Sequence, residues 1–414
     1  MKVSLLSRSD GRGGGYAAAY RLHQGLKKIN IDSTMLVSEK NRDDFTVLGS
    51  NNKLGKGWGK IAPTLHSLPL IAYPKRQNKL IFSLQWMPDK LAAQVAKMNP
   101  DVINLHWING GYLRIETLAK FKKPIVWTLH DMWAFTGGCH YSANCDKYTK
   151  FCGACPQLGS HKERDISRWI WQRKAKAWKN INLTIVTPSR WLAECARKSS
   201  LFHNSPIEVI PNALDTQIYK PIDKTIARKL LNLPLDKKLL LFGAMNSTSD
   251  RRKGFHLLEP ALRKLSQDNS QENIELVIFG ASRPLEVPHF GWPTNYLGRL
   301  NDDISLSLVY SAADVFLAPS VEDNLPNTVM EALACGTACI AFDIGGMSDM
   351  IEHQQNGYLA KPFDIDDFAK GIAWVIIDDH RHARLSNRSR DRALKLWSDD
   401  VVAKQYLAVY EQAI

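Results

Sequence analysis

No apolar run in this 414-residue chain approaches the length of about eighteen residues that a membrane-crossing helix needs. Met1–Ser7 offers only four apolar residues, at most two of them consecutive, before Arg8 and Asp10, too few for the core of a secretory signal. A cytoplasmic location is therefore expected. Internal repeats and low-complexity tracts are also missing, which argues against a repeat architecture. Acidic residues are scarce in the first half. Residues 1–200 carry 13 Asp and Glu against 32 Lys and Arg, a net of +19, whereas residues 201–414 carry 28 against 22, a net of −6. Such asymmetry points to a polyanion facing the first half, either nucleic acid or an anionic membrane surface, or else to a solvated basic face. The cations are scattered and no known nucleic-acid recognition motif is present, so nucleic acid is not expected. Residues Ser167 to Lys179 mix cations with Trp169, Trp171 and Trp178. That pattern fits an interfacial helix at the inner face of a membrane, or tryptophans packed on a sheet.

What is present is ordinary for a globular protein: 44% apolar and 23% charged residues, and enough length for two full cores. Short apolar runs read as buried strands at Val3–Ser7, Thr34–Val37, Val102–His106, Ile125–His130 and Leu183–Thr187. A second series lies at Leu239–Gly243, Glu275–Gly280, Asp314–Ala318 and Ala338–Phe342. Helical patterns separate them, for example Ala17–Lys28, Phe255–Ser266 and Thr328–Ala334. Strands alternating with helices predict parallel sheets covered on both faces. The expected architecture is α/β, with two Rossmann-like domains facing across a cleft. These are residues 1–205, with a cysteine-rich loop at 139–155, and residues 206–390. A terminal helix, 391–414, is expected to return towards the first domain. Ile210–Asp215 reads as the hinge. Chemistry in such sheets lies beyond the carboxyl ends of the strands, which places Gly13–Gly15, His106, His130 and Ser189 on one edge.

The segment from Pro319 to Thr337 runs from a strand end through a polar loop into a helix. The first N–H groups of that helix have no partners within it and form an anion site. Asp323 and Glu331 bracket the loop. Thr328 and Glu331 also match a capping box, in which Glu331 only closes the helix start. The two acids, separated by seven residues and followed by Ala332, Cys335, Gly336 and Thr337, resemble the paired-acid signature of glycosyltransferase family 4. The resemblance implies that Glu331 holds the donor ribose and that Asn327 and Thr328 approach the donor phosphates. The first acid of the family is usually Glu. Here it is Asp323, one carbon–carbon bond (about 1.5 Å) shorter, with Glu322 as the alternative.

Further elements follow in family order. Gly13, Gly14 and Gly15 resemble the amino-terminal glycine loop that lets the backbone approach substrate. They are no dinucleotide fingerprint, because Tyr16 stands where Gly is required. His130, in Thr128-Leu129-His130-Asp131, resembles the strand-end His that contacts the transferred sugar. Thr187 to Leu192 and Pro211 to Asp215 match family elements too, with Ala213 where Gly is usual. Arg251-Arg252-Lys253-Gly254 resembles the Lys-Gly element whose lysine contacts the donor diphosphate. Gly243 is followed by Ala244 and Met245, so the role of an additional family arginine falls to Arg251 or Arg252. Gly345-Gly346 completes the series.

The resemblance implies a GT-B fold and hexosyl transfer from a nucleotide-diphosphate sugar to a glycan or lipid-linked acceptor, in surface polysaccharide biosynthesis. Anomeric configuration would be retained, with His130, Lys253 and Asp323 as catalytic groups. No catalytic metal is implied, because Lys253 offsets leaving-group charge. A non-catalytic nucleic-acid- or glycan-binding protein on the same fold is the alternative.

Of seven cysteines, four lie within seventeen residues: Cys139, Cys145, Cys152 and Cys155. In a cytoplasmic protein four thiolates match a structural Zn²⁺ site, although only the last pair has the tight spacing common in such sites. Disulfides and plain thiols remain open. Cys195, Cys335 and Cys339 read as small buried hydrophobes.

Overall fold

The computed structural model describes residues 1–414 except 12, 50–52, 78–80, 244–249, 269–272, 285–287 and 289. Contacts divide the chain into two compact units, Met1–Pro211 with Val402–Ile414, and Asn212–Val401. Among the described residues no helix is long and apolar enough to cross a membrane.

Among the described residues the first unit holds seven strands: β1 (Lys2–Ser9), β2 (Asp32–Glu39), β3 (Val47–Leu48), β4 (Val102–Leu105), β5 (Ile125–Thr128), β6 (Leu183–Thr187) and β7 (Ile207–Val209). They form one sheet in the order β3-β2-β1-β4-β5-β6-β7, with every pairing parallel. The second unit holds β8 (Lys238–Gly243), β9 (Ile274–Phe279), β10 (Thr294–Gly298), β11 (Val315–Ala318), β12 (Ala338–Phe342) and β13 (Gly357–Ala360). Their order is β10-β9-β8-β11-β12-β13, again all parallel. Within each sheet the chain runs outward from a central strand and then reverses. The reversal falls between β1 and β4 in one sheet and between β8 and β11 in the other. Loops leaving such a switch point open the crevice where ligands bind in this class of sheet.

Side-chain alternation explains why these runs are continuously apolar. Leu239 and Leu241 of β8 enter one core layer, while Leu240 and Phe242 enter the other. Val315 and Leu317 part from Phe316 and Ala318 in the same way. Both faces are covered, so a polar residue on either face would be buried. The strands that sequence pattern did not reveal are β3, β7, β10 and β13, the four edge strands of the two sheets. An edge strand pairs on one side only and needs no continuous apolar run. β10 is half-buried throughout and β7 is mostly exposed.

Two readings are corrected by packing. The helix Ile166–Trp178 is not a free interfacial helix, because Ile170, Lys174 and Trp178 are buried. Trp178 stands edge-on to Trp127 at 5.2 Å and stacks on Phe202 at 6.2 Å. Trp171 is half-buried and donates to Ser200 Oγ at 3.0 Å. Of its three tryptophans only Trp169 stands in the open, at 45% exposure. Cys335 and Cys339 are buried as expected, but Cys195 is only partly so.

Candidate functional site

In the second unit, the loops after β8 and β11 meet through charge. Lys253 Nζ lies 2.7 Å from Asp323 Oδ2, and Arg252 reaches the same oxygen at 3.0 Å. Arg252 also donates to the Glu322 carbonyl at 2.9 Å, and its own carbonyl accepts from Val321 N. The Asp250 carboxylate accepts from Arg252 N and so shapes the short turn Arg251–Lys253. Asp323 is buried, which alone would raise its carboxyl. Lys253 and Arg252 outweigh that and bring it down to about 2. Asp323 is thus joined to the basic loop through its carboxylate. Arg252 joins Lys253 there, whereas Arg251 is exposed. Ala244 and Met245, which stand where the additional arginine was sought, lie outside the described residues.

A glycine holds this loop from the other side. Gly345 has φ +54°, and a Cβ there would fall 1.9 Å from the Asp323 carbonyl oxygen. Gly346 N donates to that oxygen at 3.2 Å. Glycine is required because the backbone of one loop lies directly on the other.

The helix Asn327–Ala334 starts four residues after Asp323. Its cap is Pro326, with no side-chain capping bond. The capping-box reading of Thr328 and Glu331 therefore fails: Thr328 is the second helical residue and Glu331 lies in the second turn. Glu331 is buried, and its Oε2 accepts from the Tyr310 hydroxyl at 3.0 Å. Burial, and then the Glu331 charge, push the Tyr310 phenol well up, so it stays a donor. Asn327 and Thr328 are half-buried at the helix start. The Asn327 side-chain oxygen accepts from Asn212 Nδ2 at 3.1 Å. Asn212 and Tyr310 are site neighbours that sequence reasoning did not assign. Asn212 sits in a recognised element, but Tyr310 gave no signal beyond a place in a buried helix.

In the first unit the switch-point loops after β1 and β4 carry Gly13–Gly15 and His106, and the loop after the neighbouring β5 carries His130. The helix Gly14–Lys28 begins directly after Gly13, without a side-chain cap. A Cβ on Gly15 would come within 2.8 Å of the His130 ring, so the helix start packs on that imidazole only because it lacks a side chain. His130 Nε2 lies 3.0 Å from His106 Nδ1, and His106 Nε2 lies 3.0 Å from Asn104 Oδ1. Asn104 Nδ2 donates to the Val126 carbonyl at 2.9 Å, which fixes the amide's orientation. Its oxygen also accepts from the Tyr410 hydroxyl at 2.8 Å. His106 must then donate through Nε2 and accept at Nδ1, so neutral His130 donates through Nε2 and carries its lone pair on Nδ1. Burial brings His130 down to about 4, against a smaller opposing pull from Asp131. His130 is thus a neutral imidazole at physiological pH. His106 is the residue that sets its tautomer, and sequence placed it only on the right edge of the sheet.

Beyond His130 the chain turns into the cysteine-rich loop. The Asp131 carboxylate accepts from Trp107 Nε1 at 2.9 Å and from Trp133 N at 2.9 Å, and it pairs with His140 Nδ1 at 2.7 Å. His140 Nε2 meets Ser83 Oγ at 2.9 Å. All four loop cysteines are free thiols in this structure. Cys139, Cys152 and Cys155 are buried, and Cys145 partly so.

Comparisons with known proteins agree along the chain. The model for Glycosyltransferase Family 4 matches residues 12–218, and the model for group 1 glycosyl transferases matches residues 236–378. A D-inositol 3-phosphate glycosyltransferase from Stackebrandtia nassauensis is 27% identical over 222 residues, covering 50% of this chain and 49% of the relative. The chain spans about half the length of the curated relatives it matches. Among solved structures, sucrose-phosphate synthase from Thermosynechococcus elongatus superposes with a TM-score of 0.69 at 19% identity, over 100% of this chain and 98% of that one. Anabaena HepE in complex with UDP superposes with a TM-score of 0.64 at 16% identity, over all of both chains. These likenesses establish the two-sheet GT-B fold. With the two matched models following one another over two all-parallel sheets, the chain belongs to glycosyltransferase family 4.

Proposed function

We propose that this protein is a retaining glycosyltransferase that moves a hexose from a nucleotide-diphosphate sugar to a glycan or lipid-linked acceptor, in surface polysaccharide synthesis. The observation that carries this reading is the Lys253–Arg252–Asp323 cluster at the β8/β11 switch point, four residues before the start of the helix Asn327–Ala334. Breaking the anomeric bond leaves negative charge on a nucleoside diphosphate. Lys253, Arg252 and the first N–H groups of that helix supply positive charge and donors without a metal. Glu331 is the carboxylate for the ribose hydroxyls. Neutral His130, with its tautomer set by His106, is an uncharged hydrogen-bonding group for the transferred sugar. HepE, a neighbour in fold, was solved with UDP and with UDP-glucose, which makes uridine the first base to test.

A thermal-shift screen decides the donor class. At a hundredfold excess over Kd a bound nucleotide stabilises by about 2.7 kcal/mol. UDP or a UDP-sugar should therefore raise Tm by several degrees, and more than ADP or GDP counterparts do. A flat Tm across all nucleoside diphosphates and their sugars would remove the reading.

The lipid-linked acceptor class is supported by the net +19 of residues 1–200, which suits an anionic membrane surface. About 1 kcal/mol per cation near such a surface is expected. The protein should therefore pellet with anionic vesicles at low salt and much less at physiological salt. Equal recovery in the supernatant with anionic and neutral vesicles at both salts would contradict the membrane assignment.

A further inference from the structure

The four loop cysteines converge although they come from three separate turns. Cys139, Cys145, Cys152 and Cys155 line one cavity of about 20 Å³, room for a single water-sized body. A backbone donor is aimed at one of the sulfurs: Gly137 N lies 3.1 Å from Cys152 Sγ. Such a bond is worth most when the sulfur is a thiolate. The loop is also tied down, since the Asp165 carboxylate accepts from Cys155 N at 2.8 Å while capping the helix Ile166–Trp178.

An independent observation asks for negative charge here. Lys174 is wholly buried. Its Nζ donates to the carbonyls of Trp133 and Thr136 and sits 3.6 Å from the centre of the Trp133 ring. Among the described residues no carboxylate forms an ion pair with it. Thr136, whose carbonyl it meets at 3.0 Å, lines the cysteine cavity. Burial pushes the Lys174 amine well below the usual lysine range, and thiolates beside it would favour its charged form.

We propose that Cys139, Cys145, Cys152 and Cys155 hold one structural Zn²⁺ ion, with Lys174 as the buried counter-cation. Binding exchanges four S–H protons for one ion, leaving a centre of net charge −2 next to Lys174. His140 is no ligand, since both its ring nitrogens are taken by Asp131 and Ser83. With the thiols free, no three His, Cys, Asp or Glu side chains among the described residues stand at ligating separations. The sulfurs must therefore rotate about χ1 to meet the ion at about 2.3 Å. The centre would brace the loop that carries Asp131 and His140 immediately after His130, and would do no chemistry itself.

Elemental analysis of the full chain, purified without chelator, tests this. About one zinc per chain is expected. A mercurial thiol reagent should release that zinc, read with a chromophoric chelator, as the cluster thiols react. Cys152→Ser should lose most of the zinc, and Cys195→Ser should keep it. Lys174→Met should lose zinc to EDTA about tenfold faster than wild type, equivalent to about 1.4 kcal/mol. Should Cys152→Ser not fold, the wild-type metal content and the Lys174→Met release rate still decide. Wild-type protein without transition metal, with four loop thiols that titrate rapidly or are oxidised, overturns the proposal. So does another metal in place of zinc, or full zinc retention in folded Cys152→Ser.

Discussion

Lys253→Ala should lower kcat/KM for sugar transfer by about one to two powers of ten while the protein remains folded. A hydrogen bond to a charged group is worth about 1.5–3 kcal/mol, and each 1.36 kcal/mol is a factor of ten in rate. Lys253 is held at 2.7 Å by Asp323, so its ammonium is already positioned where the loops after β8 and β11 meet. Removing it does not strand Asp323, because Arg252 still reaches the same oxygen at 3.0 Å. The loss should therefore fall on the transition state, with Tm within a few degrees of wild type. Arg251→Ala, which alters an exposed neighbour, should change kcat/KM far less. Initial-rate kinetics with paired melting curves check both. Equal losses in the two variants would mean that general positive charge, not Lys253, is what matters.

Glu331→Gln should weaken donor binding by a similar factor with little loss of stability. The carboxylate is buried and accepts from Tyr310 at 3.0 Å. Glutamine keeps an acceptor oxygen for that hydroxyl but gives up the negative charge that a pair of ribose hydroxyls would use. The expected outcome is a Kd for nucleoside diphosphate raised about ten- to a hundredfold. Glu331→Ala would also leave the Tyr310 hydroxyl buried without its partner, at about 1–3 kcal/mol. Alanine should therefore lower both stability and affinity, whereas glutamine lowers affinity alone. Calorimetric titration of the two variants separates these effects. An unchanged Kd in Glu331→Gln would make Glu331 a packing residue.

The central strands were legible because both their faces are buried. Leu239–Gly243 and Ala338–Phe342 read as unbroken apolar runs and lie within one residue of the strands observed. The edge strands were not legible, because Thr294–Gly298 is only half-buried and Ile207–Val209 mostly exposed, and neither follows such a pattern. At the site, the motif narrowed the first acid to Asp323 or Glu322, but only burial against Lys253 and Arg252 distinguishes them. The short polar motif at Thr328–Glu331 fitted a cap as well as a ligand site. That ambiguity ends with Pro326, which occupies the cap position. Tyr310 and Lys174 were invisible as functional neighbours, since a residue buried from a distant element leaves no local signature. The tryptophans of Ile166–Trp178 were ambiguous for the same reason: their spacing is shared by a membrane-facing helix and by one packed on Trp127 and Phe202.

The most direct measurement is transfer of labelled sugar from the nucleotide sugar that most raises Tm. It should be made in parallel with wild type and Lys253→Ala, in the first minutes after EDTA is added. Transfer by wild type that EDTA leaves intact, and that falls at least tenfold in folded Lys253→Ala, is the predicted result. Full transfer by folded Lys253→Ala, or immediate loss of wild-type transfer in EDTA, would contradict a donor site in which this lysine stabilises the departing diphosphate without a metal.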